Sequence, residues 1–197
     1  MNSGDVDGII LAAGLSRRMG TNKLLLPFQG KPLAAHTLDL ARSFSFASLT
    51  LVIREETAAA LNIPDWIRVV NNPAPEEGQS LSLRLGLREA GAKGYLFFTA
   101  DQPLLDAATV HAVLEHADDD SIVVPVHAGT PGNPVFFAAR FREDLLIARG
   151  DKGGRDVRDK HPAACRYVPV RHEATLWDID TEEQYLRLLS QFPAARS

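Results

Sequence analysis

The chain is poor in the residues that staple or span. Cys165 is the only cysteine among 197 residues, so neither an intramolecular disulfide nor a cysteine-based zinc site can form. A lone thiol of this kind usually packs as a small hydrophobe in a strand. No apolar run approaches the roughly 20 residues that a membrane-spanning helix needs. The first seven residues are polar and lack the basic start and apolar stretch of a secretory signal, so a cytoplasmic location is expected. There is no excess of positive charge either. The net charge of -4 argues against sequence-independent nucleic-acid binding, which needs a basic face. The six histidines show no metal-ligand spacing, since His111 and His116 are five apart and not four. No serine, histidine and acid constellation suggests covalent catalysis.

What is present is an ordinary globular composition, 45% apolar and 23% charged, in a length that suits one α/β domain over residues 1–197. Short apolar runs alternate with helical patterns. Gly8–Ala12, Leu49–Ile53, Arg68–Val70, Tyr95–Ala100 and Ile122–Val126 read as strands, and Asn133–Phe137 as a return strand. Helices are expected over Pro32–Phe44, over Ser80–Ala90 with Leu81 and Leu85 on one side, from an Asp106 cap to about His116, and from Thr181 to about Gln191. Thr181 and Gln184 have capping-box spacing. Buried parallel strands read as continuous apolar runs, and alternation of this kind implies a mostly parallel sheet with helices on both faces. Ligands in such folds lie beyond the carboxyl ends of the strands.

Polar residues collect at those ends. The first strand runs into Ala13-Gly14-Leu15-Ser16-Arg17-Arg18-Met19-Gly20-Thr21-Asn22-Lys23. Small residues let a ligand approach the backbone, turn N–H groups can form an anion nest, and Arg17, Arg18 and Lys23 add fixed positive charge. The alternative is a basic surface loop. Gly20-Thr21-Asn22-Lys23 is not a Walker ending, and Gly14 and Gly20 alone do not make a dinucleotide fingerprint. The strand Tyr95–Ala100 delivers Asp101, followed by Gln102-Pro103. A carboxylate there can hold magnesium, which takes one or two protein carboxylates and completes its shell with phosphate and water; it can equally serve a turn. Asp178 and Asp180 lie two apart and share a face in an extended segment, although one of them could simply cap the last helix. Asn71-Asn72-Pro73 and Gly78 to Leu83 supply amides and hydroxyls, expected to be exposed, that could read a base or ribose. Gly129–Pro134 and Gly150–Arg155 are two further glycine-rich loops, each alone as consistent with a turn as with a site.

Taken together, the run Leu11 to Pro27 resembles the signature of the molybdenum cofactor nucleotidyltransferases, within the MobA-like NTP transferase superfamily. Its Ala12-Ala13-Gly14 is similar to the cytidylyltransferase branch, where the guanylyltransferase branch usually has Ala-Gly-Gly. Gly78–Leu83, Ala100–Pro103, Gly132–Val135, Gly150–Arg155 and Asp178–Thr181 follow in the family's order, so the resemblance covers nearly the whole chain. It implies a three-layer, Rossmann-like nucleotidyltransferase fold with a mostly parallel mixed sheet. It also implies magnesium-dependent transfer of CMP from CTP to a molybdopterin-type cofactor, with a molybdenum hydroxylase apo-enzyme as the protein served.

By position, Leu11, Ala12, Ala13, Gly14 and Lys23 would hold the nucleotide, with Asn72, Ser80 and Ser82 near base and ribose. Lys23, Arg18 and Asp101 would carry catalysis. Asp101 and Asp180 would bind the metal, with Asp178 the alternative second ligand. Asn133, Gly153, Gly154 and Arg155 would face the acceptor. A guanylyltransferase, a cytidylyltransferase for a sugar or polyol phosphate, and a non-catalytic cofactor carrier are the other functions these residues admit.

Overall fold

The computed structural model describes residues 1–193. Ten strands occur among them: β1 (Val6–Ala12), β2 (Pro27–Phe28), β3 (Lys31–Pro32), β4 (Ser48–Ile53), β5 (Arg68–Asn71), β6 (Gly94–Thr99), β7 (Ile122–His127), β8 (Thr130–Pro131), β9 (Val135–Ala138) and β10 (Cys165–Pro169). Seven α-helices accompany them: α1 (Leu33–Arg42), α2 (Glu55–Ala60), α3 (Gln79–Arg88), α4 (Ala107–Glu115), α5 (Arg142–Ile147), α6 (Arg155–Lys160) and α7 (Glu182–Gln191).

The main sheet has the order β10-β7-β9-β6-β1-β4-β5, with β8 on β7. Four of its pairings are parallel and three are antiparallel, all three involving β7 or β9. This is the mostly parallel mixed sheet that the apolar runs imply. β1 lies centrally because Val6, Ile9 and Ile10 are wholly buried, which is the pattern of a strand covered on both faces. One charge interrupts it. Asp7 is buried, and its carboxylate accepts from the backbone N–H groups of Gly91 (2.7 Å) and Ala92 (2.8 Å) and from Ser48 Oγ (2.6 Å). That satisfied anion pins the end of β1 remote from the site.

α3 lies close on the sheet. A Cβ added to Gly86 would stand 2.5 Å from Ile9 Cγ2, so only glycine permits this approach. The buried face of α3 is Ser80, Leu83, Gly86 and Leu87. Leu81 and Leu85 share a side of α3 as expected, half-buried, with Leu85 packed against the core; glycine, which carries no hydropathic signal, marks the fully buried face. The return strand begins at Val135, not Asn133, because Gly132–Pro134 form the loop that enters it. Asp106 caps α4 by accepting from Thr109 N, and Thr181 and Gln184 form the expected capping box on α7. A small second core of Phe28, Leu33, Ile179 and Leu188 joins the β2–β3 hairpin and α1 to α7. No helix among the described residues is long and apolar enough to cross a membrane.

Candidate functional site

The parallel registers bring two strand ends together. Leu11 pairs with Val52 on one side and Thr99 on the other, and Ala100 N donates to Leu11 O at 3.0 Å. The loop after β1 therefore starts beside Asp101. A third segment closes on them. Ile179 N donates to Asp101 O at 3.1 Å, while the Ile179 side chain is buried in the second core. With Ile179 turned inward, the carboxylates two apart at 178 and 180 fall on the other face of an extended stretch.

Two carboxylates hold one ammonium, with Asp178 nearby. Lys23 Nζ lies 2.6 Å from Asp101 Oδ2 and 2.6 Å from Asp180 Oδ1, and Arg18 reaches Asp180 Oδ2 at 2.8 Å. Burial alone would lower the Lys23 pKa, but the charges and hydrogen bonds of Asp101 and Asp180 outweigh it and hold the ammonium above its ordinary range. Burial likewise opposes ionisation of Asp180, and is overcome by Lys23 and Arg18, so that its carboxyl lies below the usual range. At Asp178 the Lys23 charge and a Gln102 hydrogen bond are outweighed. Burial first, and then the neighbouring charges of Asp101 and Asp180, push it up to about 7. Asp101 Oδ1 and Asp178 Oδ1 are buried and have no hydrogen-bond partner among the described residues.

The loop before Lys23 is held by its own side chains. Lys23 N donates to Ser16 Oγ (3.3 Å), Asn22 Oδ1 accepts from Leu24 N (3.2 Å), and Asn22 Nδ2 donates to Thr57 Oγ1 (2.8 Å) on α2. Ser16 and Gly20 have φ of 50° and 65°. The space that a Gly14 Cβ would enter is open to 4 Å, which leaves the backbone there accessible.

Two cavities meet at this centre. The first, of about 360 Å³, is lined by the loop from Gly14 to Arg18, by Lys23, Gln79 and Ser82, and by Asp180. The second, of about 450 Å³, has an apolar floor that includes Leu11, Leu83, Phe97 and Phe137. Its rim carries Asn133, Lys152, Arg155 and Arg158, and Asp178 closes one end. Phe97 and Phe137 pack edge to face with centroids 5.9 Å apart. Gln79 lines both cavities. Behind it, the Gly78 Cα is pressed on the Gly150 loop: at φ 91°, an added Cβ would lie 2.6 Å from the Gly150 carbonyl carbon.

The sequence-derived residues divide accordingly. Gly14, Arg18, Lys23, Ser82 and Asp180 line the first cavity, and Asn133, Gly154 and Arg155 the second. Leu11, grouped by resemblance with the nucleotide loop, lines the second cavity instead, because it precedes the point where the chain turns away from the strand. Ala12 and Ala13 are buried and can offer only backbone. Gly153 is also buried, and its Cα faces Gln79, whose Oε1 would stand 2.7 Å from an added Cβ.

The expectation of exposed amides and hydroxyls is corrected. Asn72, Ser80 and Ser82 are all buried. Asn72 Nδ2 donates to Ser82 Oγ (2.9 Å) and Asn72 Oδ1 accepts from Ala74 N (3.0 Å), so Asn72 orients a hydroxyl and a loop. Ser80 Oγ has no partner among the described residues. Gln79, Lys152 and Arg158 also line the cavities but carry no individual sequence signal, although the first two lie inside the Gly78–Leu83 and Gly150–Arg155 loops.

A basic loop, a carboxylate cluster and twin cavities at the carboxyl edge of a Rossmann-like sheet define a nucleotidyltransferase. Residues 8–165 match the MobA-like NTP transferase domain, and the chain belongs to that family. It is 31% identical to the purine catabolism protein PucB of Bacillus subtilis (strain 168), across 94% of this chain and 96% of that one. It is also 31% identical to a probable molybdenum cofactor guanylyltransferase of Carboxydothermus hydrogenoformans, across 61% and 58% of the two chains. Among solved structures, Rv0371c of Mycobacterium tuberculosis H37Rv superposes with a TM-score of 0.86 at 31% identity, covering 96% of this chain and 100% of that one. A second structure of Rv0371c, described as a complex with manganese, superposes at 0.81 with 28% identity, covering 94% and 98%.

Proposed function

We propose that this nucleotidyltransferase moves CMP from CTP to the terminal phosphate of a molybdopterin-type cofactor, releasing pyrophosphate. The observation that carries the proposal is the carboxylate and ammonium cluster at the junction of two cavities, one loop-lined with Arg17, Arg18 and Lys23 set against Glu76, Asp151 and Asp180, the other aromatic-floored with a basic rim. The first suits a triphosphate. The second suits a planar ring with a charged phosphate tail, since the ring can lie against Phe97 and Phe137 while Arg155 and Arg158 meet the anion. The Ala12-Ala13-Gly14 run favours the cytidine donor by its resemblance to that branch of the family.

The described residues hold no group of three His, Cys, Asp or Glu arranged for a metal, but a pair of carboxylates suffices for a magnesium ion that completes its shell with phosphate and water. Asp101, Asp178 and Asp180 offer only hard oxygen donors, and two of those oxygens are buried without a partner among the described residues, which a cation would relieve. Asp101 and Asp180 would hold it, and magnesium bound there would neutralise phosphate charge as a Lewis acid. The reaction is an in-line displacement. An oxygen of the acceptor phosphate bonds to the α-phosphorus as the bond from that phosphorus to the α–β bridging oxygen breaks, and the electron pair leaves with pyrophosphate. The attacking oxygen is already anionic, so no general base is needed. Catalysis is the positioning of two like-charged groups and the stabilisation of spreading negative charge. Lys23 and Arg18 supply that stabilisation, Gly14 and Ser82 position the donor, and Asn133, Gly154 and Arg155 position the acceptor. This reading takes the 197 residues as one domain and places it in the cytoplasm, where nucleoside triphosphates are made.

The test is pyrophosphate release with magnesium, a molybdopterin-type acceptor and CTP, GTP or ATP in turn. Release with CTP alone is the expected outcome. Release with GTP alone would move the chain to the guanylyltransferase reading, which the similarity to a probable guanylyltransferase favours. Release with CTP and a small sugar phosphate, but not with the pterin, would replace the acceptor. No release from any pair would leave the carrier role.

A further inference from the structure

Lys23 stands where a cation would be expected to bind. Its ammonium bridges Asp101 and Asp180 at 2.6 Å each, the two carboxylates assigned above to the divalent ion. A divalent ion drawn to those same oxygens meets the ammonium's charge at close range, while Asp101 Oδ1 stays without a partner among the described residues. The backbone of Lys23 is fixed by Ser16 and by the Asn22 cap, but its side chain also lines the first cavity beside Gly14 and Arg18. Rotation of a flexible four-carbon stem is therefore enough to carry the charge from the carboxylates to a phosphate. Arg18 is differently placed. It touches only the outer oxygen of Asp180, and its side chain is 67% exposed.

We propose that Lys23 is a resident counter-ion that holds the metal's place until a triphosphate draws it away, so that the divalent ion and the nucleotide load together. This rests on the nucleotidyltransferase reading of the site. Without substrate, Lys23 keeps two half-buried carboxylates paired, which lowers the cost of holding their charges partly out of water. With substrate, the triphosphate offers the ammonium more negative charge than the carboxylates do, and the vacated oxygens take the ion. The affinities for metal and triphosphate are then coupled, and the coupling is reciprocal.

The experiment titrates Mn²⁺ alone, following the free-ion electron paramagnetic resonance signal, into the wild type, Lys23→Met and Arg18→Gln, with folding checked by thermal denaturation. Lys23→Met is expected to bind Mn²⁺ at least about tenfold more tightly than the wild type. Arg18→Gln, which removes the same charge without vacating the place between the carboxylates, is expected to gain about twofold or less. Adding CTP should tighten Mn²⁺ binding in the wild type and much less in Lys23→Met. Equal Mn²⁺ affinity in wild type and Lys23→Met would overturn the exchange, as would an equal gain in Arg18→Gln. If Lys23→Met fails to fold, Lys23→Gln takes its place. Because the first comparison uses the metal alone, it stands whichever triphosphate is the donor. Failure of the broader reading appears separately, as no binding of any nucleoside triphosphate by the wild type in saturating Mn²⁺.

Discussion

The two sides of the sheet are built differently. From β6 through β1 and β4 to β5 every pairing is parallel, and this side carries the Gly14–Lys23 loop and the start of α3. Toward β9, β7 and β8 the pairings turn antiparallel, and only β10 on the far edge runs parallel again. This side contributes Thr130–Asn133 and the Lys152–Arg158 segment. Parallel strands point their carboxyl ends to one edge and concentrate chemistry there. The mixed side gathers its cavity wall from loops and helix ends. The difference teaches that the regular half supplies the Gly14–Lys23 loop and Asp101, while the irregular half supplies the basic rim of the second cavity and the Asp178–Asp180 segment.

The largest expected effect breaks the regular half. Asp101→Ala should lower turnover by about 10³-fold or more with magnesium present, while circular dichroism and melting temperature stay near the wild type. Near-normal turnover would remove Asp101 from the metal assignment. Next comes the mixed half. Arg155→Gln should raise the KM for the acceptor about tenfold and leave the KM for the nucleotide unchanged; an equal rise in both would deny that the two cavities serve different substrates.

A third variant attacks the contact between the halves. Gly78→Ala must place a Cβ against the Gly150 carbonyl at a positive φ, at an expected cost of about 1–3 kcal/mol in urea unfolding. The smallest effect is a pH dependence in the second core. His36 packs on the Phe28 ring, and its Nε2 bonds Phe28 O; burial, set against that bond, keeps its pKa below the ordinary 6.5. Its folded pKa is depressed, so its contribution to stability is full above about 6.5. That contribution is lost as pH falls through the lower folded value. Melting temperature should therefore decline across that interval in the wild type, and the decline should be shallower in His36→Gln.

Much of the regular half was legible in the sequence. Ile9, Ile10 and the Tyr95–Phe98 run announce buried strands, and Gly14 with Arg17, Arg18 and Lys23 announces a basic loop at a cavity wall, because both signals are local. Spacing alone also put Asp178 and Asp180 on one face. What was hidden depends on contacts distant in sequence. α2, α5 and α6 have six residues each, too short for a hydrophobic period to show. The packed face of α3 is marked by a glycine meeting Ile9 across the sheet. Asn72 read as a free polar group because its partner, Ser82, is ten residues away on another element. Nothing in the sequence places Lys23 between Asp101 and Asp180, which are 78 and 157 residues distant.

The touch between Gly78 and the Gly150 loop also bears on how such a protein can diverge. That contact constrains bulk at Gly78, where an added Cβ would meet the Gly150 backbone and the Asp151 carboxylate, whereas the space beside Gly150 is open. The basic and aromatic lining of the second cavity can therefore change without disturbing the Gly14–Lys23 loop next door. Change at Gly78 itself would be felt on both sides at once.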